Sequence, residues 1–187
     1  MKLFIYSIIL TFSTTIFAQK CEYSSNIVDS IGTYKATKDY LMHERIFGNN
    51  TELIFFSLEN TDGIPSLVVQ FIQKSDDFVK INCLDKNSRI YLQLENGKII
   101  TLIHKNQTNW GTSIKDQNGN NNRVNTGYFM FLKNSFAALK SSPISLLRVK
   151  YGLESQDYIL KTNMISEFDK NKYEPSKFFI NYLRCIE

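Results

Sequence analysis

Along most of the chain apolar and polar residues alternate with a period of two, the mark of antiparallel strands that bury one face. Residues 33–47 read as one long extended run, with Tyr34, Ala36, Tyr40, Met42 and Ile46 on one side and a turn at Gly48, Asn49 and Asn50. Residues 53–58 and 67–72 form the next pair around Asn60, Thr61, Asp62 and Gly63, with Pro65 near a strand start where a missing donor is tolerated. Residues 78–83 read as a short further strand. The clearest hairpin is 89–104, because Asn96-Gly97 accepts the positive φ angles of a two-residue type I′ turn. That turn pairs Leu94 with Ile99, Leu92 with Thr101 and Ile90 with Ile103 as the core face, and leaves Arg89, Tyr91 and Gln93 opposite His104, Leu102 and Ile100 on a mixed face. An asparagine- and glycine-rich loop over 106–125 precedes strands at 128–132, 146–151 and 158–161.

Two segments break the alternation. Asn134 is placed to cap a short helix carrying Phe136, Leu139 and Lys140 before Pro143 stops it. Pro175 sits at a first-turn position of a terminal helix in which Phe178, Tyr182, Cys185 and Ile186 share one face. About eight strands with these two helices predict a mainly β or α+β domain, an antiparallel sandwich or an open barrel. Helices do not alternate with strands, which excludes a doubly wound α/β fold.

Residues 1–18 have the form of a secretory signal: Lys2, an apolar stretch from Leu3 to Leu10 extended by Phe12, Ile16 and Phe17, and Ala18 before Gln19. Ser7, Thr11, Ser13, Thr14 and Thr15 interrupt that stretch, and it falls short of the ~20 apolar residues of a bilayer span. Lys20 stands where a lipoprotein needs a small residue before Cys21. The expectation is therefore an exported protein of the periplasm, cell surface or medium, with residues 19–187 as one β-rich domain and no membrane span after cleavage. A length of 187 residues, 43% of them hydrophobic, with only 8 glycines and 3 prolines, excludes a disordered or collagen-like chain. The net charge of +4, or +3 once Lys2 leaves with the leader, is spread over scattered lysines and predicts no nucleic-acid partner.

Cys21, Cys83 and Cys185 allow one bridge in an oxidising compartment. Chain entropy does not choose among the three pairings, but Cys21 and Cys185 lie at the two ends of the mature domain, where fraying is otherwise expected. That pair is the expected disulfide, with Cys83 left as a small apolar side chain. His43 is assigned to a strand face with Leu41, Arg45 and Phe47, Glu44 turning the other way, and His104 to a place opposite Arg89, where a neighbouring cation disfavours its charged form. Glu52, Glu59, Asp76 and Asp77 read as surface carboxylates. Asp116 to Asn120 has the start of a calcium loop but departs from it at Asn121 and Gly127, so no metal and no cofactor is expected. Trp110, the only tryptophan, either pins the long loop or presents an indole to a sugar or a protein; with Tyr91 and His104 it forms the candidate set for ligand or partner contact.

Three stretches carry a resemblance: Cys21, Tyr23, Asn26, Asp29 and Gly32; the run from Tyr91 to Leu102; and Leu183-Arg184-Cys185-Ile186. Together they look like uncharacterised small secreted β-rich proteins of Gram-negative bacteria. The resemblance implies export and a β-domain, and transfers no catalytic residues. Gly32-Thr33-Tyr34 also resembles the Gly-x-Trp of lipocalins, with Tyr34 in place of the tryptophan. The chain lacks a phosphate-cradling glycine loop, a serine-hydrolase elbow, His-x-x-x-His and Cys-x-x-Cys. The first expectation is thus a non-enzymatic binding or interaction domain for a protein or glycan; a lipocalin-like carrier of a small apolar ligand and an enzyme are the alternatives.

Overall fold

A computed structural model describes residues 21–187 other than Phe78, Ile81, Asn106, Asn118 and Leu153; the expected leader, 1–18, lies outside the described residues. The strands are β1 (Tyr23–Val28), β2 (Thr33–Thr37), β3 (Tyr40–Phe47), β4 (Asn50–Thr61), β5 (Ile64–Ser75), β6 (Arg89–Leu94), β7 (Ile99–His104), β8 (Thr112–Lys115), β9 (Asn121–Phe131), β10 (Ile144–Tyr151), β11 (Glu154–Ile159), β12 (Met164–Ile165) and β13 (Lys172–Tyr173). Helix α1 covers Ser135–Ser141, and α2, Phe178–Tyr182, lies between 3₁₀ turns at Pro175–Lys177 and Leu183–Ile186.

Among the described residues eleven strands form one antiparallel sheet in the order β1-β2-β4-β5-β9-β7-β6-β10-β11, with β3 also on β4 and β8 also on β9; β12 and β13 pair separately. The expected β-rich fold with a short internal helix and a terminal helix is therefore present. The segments exceed the expected number for local reasons. The run 33–47 breaks between β2 and β3, and the supposed loop 106–125 contains β8 and the first residues of β9. No strand occupies the described residues of 78–83, where only Leu84, just beyond, makes an isolated bridge to Asn109.

The sheet curls until its wings face each other: Tyr151 of β10 meets Phe71 of β5 at 5.8 Å between rings, and Tyr158 of β11 meets His43 of β3 at 4.9 Å. This is an open barrel made of one sheet rather than a sandwich of two. Its inner face alternates as period two requires, with Ile54, Phe56 and Leu58 of β4, Leu67, Val69 and Phe71 of β5, Ile90, Leu92 and Leu94 of β6, and Leu147 and Val149 of β10 all buried. Gly127 of β9 also points inward: a Cβ there would stand 2.7 Å from both Leu84 and Phe129, so the missing side chain is the space that Leu84 fills.

The hairpin β6–β7 differs from its predicted register by one residue: Leu92 pairs with Ile100, Ile90 with Leu102 and Arg89 with Ile103. The turn explains the slip. The Gly97 N–H donates to the Leu94 carbonyl (3.0 Å), the Leu94 N–H to the Lys98 carbonyl (2.8 Å), and Gly97 has φ +83°. This is a three-residue loop, Glu95-Asn96-Gly97, closed by a left-handed glycine, instead of a two-residue turn. One extra loop residue flips all of β7, so Leu102 and His104 enter the core and Ile99 is exposed.

One end of the barrel is sealed. Phe178 and Phe179 pack on Phe56, Phe179 also meets Phe131, and Phe131 meets Phe136 of α1 at 5.0 Å. Tyr182, Cys185 and Ile186 follow on the expected face, and Cys21 is bridged to Cys185 across 164 residues. Asn134 does precede α1, but in the left-handed conformation with no side-chain capping bond. On the outer face, Leu41, Leu53 and Met164 form a second cluster, so β12–β13 covers the sheet there.

Candidate functional site

The inner face becomes polar at the other end. Beyond the apolar layer of Ile54 and Phe71, the same alternation in β4, β5 and β9 brings Glu52, Gln73 and Arg123 side by side, with Asn125 opposite Phe71. Inward positions of β11 facing them are Tyr158 and Gln156, and β10 ends in Tyr151. The two walls meet at the Glu52 carboxylate, which accepts from the Tyr158 hydroxyl (3.1 Å) and the Gln156 amide (3.3 Å), with the Arg45 guanidinium 3.8 Å away. Its side chain is only 12% exposed, so Glu52 is no surface carboxylate. Glu59 likewise has a partner, the Tyr34 hydroxyl.

This mouth contains a cleft of about 310 Å³ bordered by Arg45, Asn50, Gln73, Lys80, Asn82 and Gln156. Below it, sharing Glu52, Gln73 and Asn82, lies a pinched cavity of about 10 Å³ reached by Arg123, Asn125, Tyr151 and Tyr158. Burial pushes the Tyr151 and Tyr158 phenols well above their ordinary range, and Glu52 pushes Tyr158 the same way, so both hydroxyls stay protonated donors. Burial lowers His43 below its ordinary value, with Glu52 opposing and Arg45 adding to the effect. The arrangement holds many hydrogen-bonding groups and a neutral imidazole, but no ionised phenol for nucleophilic attack. Among the described residues no cluster of three or more His, Cys, Asp or Glu side chains could hold a metal.

His43 reaches the mouth through a bulge between Leu41 and His43, which turns His43 inward opposite Ile54 while Leu41 stays outward; the expected shared face of the two is corrected. Glu44 turns the other way, as expected, and accepts from Ser166 Oγ (3.1 Å) and the N–H groups of Glu167 and Phe168 (2.8 Å each).

The three candidate contact residues do not converge. Trp110 is 60% exposed, yet its loop is fixed by the backbone. Leu84 and Asn109 exchange N–H···O bonds of 2.9 and 2.8 Å, the Asn109 side chain donates to the Thr126 carbonyl and accepts from Gly111 N–H, and Arg123 Nη1 donates to the Trp110 carbonyl at 2.8 Å. The loop is thus held through main-chain and amide hydrogen bonds, none of which involves the indole. Arg123 joins this loop to the mouth. His104 is buried, its Nδ1 3.1 Å from the Asp85 carbonyl and its ring against Phe129; burial lowers its pKa, and Arg89 is a minor contributor rather than a direct cross-strand neighbour. Tyr91 points outward between Thr101 and Arg148, on the opposite face of the hairpin from His104. Asp116 closes a tight turn, accepting from the Asn120 N–H at 3.0 Å, and pairs with Lys74 at 2.9 Å. Cys83 is a half-buried free thiol whose pKa is raised by burial.

A larger groove, about 750 Å³, runs along Tyr40, Tyr173 and Tyr182. Tyr40 meets Tyr173 edge-on at 5.0 Å and Tyr182 at a tilt at 5.1 Å, and its hydroxyl accepts from Glu174 N–H, so these rings fasten the C-terminal segment to β3.

A scan against protein-family models finds no match, and searches of curated proteins and of solved structures return no similar protein. Sequence reasoning missed the mouth. Its signal was nonetheless present: β4, β5 and β9 keep their period of two past the last apolar residue, so that Glu52, Gln73 and Arg123 occupy inward positions.

Proposed function

We propose that the protein is an exported binding domain, without catalytic chemistry of its own, that recognises a partner through the Trp110 loop and the polar mouth. The observation that carries this reading is the exposed indole on a loop already immobilised by backbone hydrogen bonds, an arrangement that presents area without an ordering cost on binding. The Cys21–Cys185 bridge supports export, since such bonds persist in oxidising compartments, and among the described residues no helix is long and apolar enough to cross a membrane. A carrier of apolar ligands fits less well: the cavity between the walls at the mouth has room for about one water, and the strand order departs from an up-and-down barrel.

The test is a combined glycan and peptide array probed with the wild type and Trp110→Ala. Ligands retained by the wild type and lost by a folded Trp110→Ala support the reading; equal binding by both removes the loop from it. The intact mass of protein recovered from an exporting host checks cleavage after Ala18.

A further inference from the structure

Among the described residues, two buried polar atoms at the mouth have no protein partner: Arg123 Nε and Asn125 Oδ1. Asn125 is 5% exposed, its amide nitrogen is already used by the Asn82 carbonyl at 2.8 Å, and both residues line the 10 Å³ cavity under the open cleft. A buried donor and a buried acceptor left without partners are costly, and native proteins keep few of them.

Their chemistry narrows what can complete them. Arg123 Nε–H needs an acceptor and Asn125 Oδ1 needs a donor. A carboxylate or a fully ionised phosphate has acceptors only and leaves Asn125 unpaired; an ammonium has donors only and leaves Arg123 unpaired. A hydroxyl does both, and a space of one water's size admits a hydroxyl but nothing bulkier. Above it, Asn50, Gln73, Asn82 and Gln156 line the wider cleft with amides that both donate and accept. Arg123 also holds the Trp110 carbonyl at 2.8 Å, which ties the exposed indole's loop to a residue that lines the same cavity.

Resting on the binding function proposed above, we infer that the mouth is a saccharide subsite: one hydroxyl of a neutral sugar enters the cavity between Arg123 and Asn125, the cleft amides bind neighbouring hydroxyls, and Trp110 covers the apolar face of the ring.

The test is a titration of ¹⁵N-labelled full-length mature protein with a panel of neutral hexoses, pentoses, N-acetylhexosamines and their short oligomers, alongside uronic acids and amino sugars. The expected result is binding of a neutral saccharide, with amide shifts at Gln73, Arg123, Asn125 and Gln156. Asn125→Leu and Arg123→Lys, each removing one half of the pair, weaken that binding about tenfold or more while melting cooperatively. Absence of neutral-sugar binding overturns the inference, as does binding that both variants retain or that is stronger for the acids or amines. The binding reading fails separately. A peptide ligand lost in Trp110→Ala leaves it standing while the sugar assignment falls, and a crystal structure with only water between Arg123 and Asn125 in saturating sugar has the same consequence.

Discussion

The two ends of the barrel are built on the same inward-facing positions of the same strands and have opposite chemistry. At one end Phe56, Phe178 and Phe179 interlock, and a disulfide fastens Cys21, just ahead of β1, to the C-terminal segment beside them. At the other, Glu52, Gln73, Arg123 and Asn125 continue the inner face into a polar cleft with two buried atoms that have no partner among the described residues. Apolar burial at the sealed end supplies stability, and the mouth retains buried polar groups that a purely structural barrel would replace with aliphatic ones. Stability and the proposed recognition are thus separated along one axis, and substitutions at the two ends should differ in kind.

Removing the disulfide is the largest expected change. A loop of 164 residues closed by Cys21 and Cys185 stabilises by about 5 kcal/mol in the chain-entropy model. Denaturant unfolding of the Cys21→Ser, Cys185→Ser double variant should lose several kcal/mol; a loss below about 1 kcal/mol would mean that the termini stay docked without the bond. Next comes Phe178→Ala. Its ring is 1% exposed and touches Tyr40, Phe56, Phe179 and Tyr182, so a loss of about 3–5 kcal/mol is expected from the same measurement. A smaller loss would show that the seal collapses around the cavity instead of keeping it.

Acid should act through the two histidines. Burial lowers both His43 and His104 below the ordinary 6.5, so the unfolded chain takes up protons that the native state refuses. Their contribution to stability is intact above about pH 6.5 and declines as pH falls from there to the lowered native values. His104→Gln should flatten that decline in a urea titration repeated across pH 7 to about 5. An unchanged slope would assign the effect to His43 alone, at the mouth.

How far these features could be read from the sequence depends on how local their causes are. The terminal helix face and the Cys21–Cys185 bridge follow from spacing and from position at the domain ends. The β6–β7 register turned on whether Glu95 belongs to the strand or the loop, a choice of one residue that alternation cannot make, because β7 is apolar at Ile99, Ile100, Leu102 and Ile103 alike. His43 escaped because a bulge resets the alternation inside β3. The mouth escaped because polar residues at inward positions look like surface until the opposite wall, Tyr158 and Gln156, is brought across from more than a hundred residues away. Trp110 was left open since the exposure of a loop side chain is decided by what the loop's backbone finds to bind.

Trp110 supplies the sharpest contrast with Phe178 and the smallest expected effect on folding. It is the largest side chain of the mouth-side loop, yet that loop is held by the Leu84–Asn109 bridge, the Asn109 side chain and Arg123, all through main-chain atoms of residues 109–111 or the amide of Asn109. Truncating the indole removes none of those bonds. Trp110→Ala should therefore shift unfolding free energy by no more than about 0.5 kcal/mol, in the range of ordinary surface substitutions. Gly111→Ala, one residue along the same backbone, should do more, because its φ is +71° and a Cβ would come 2.7 Å from the Val124 carbonyl oxygen. If the order is reversed, with Trp110→Ala the more damaging, the indole is an anchor after all, and the division between a stabilising end and a recognising end loses its main support.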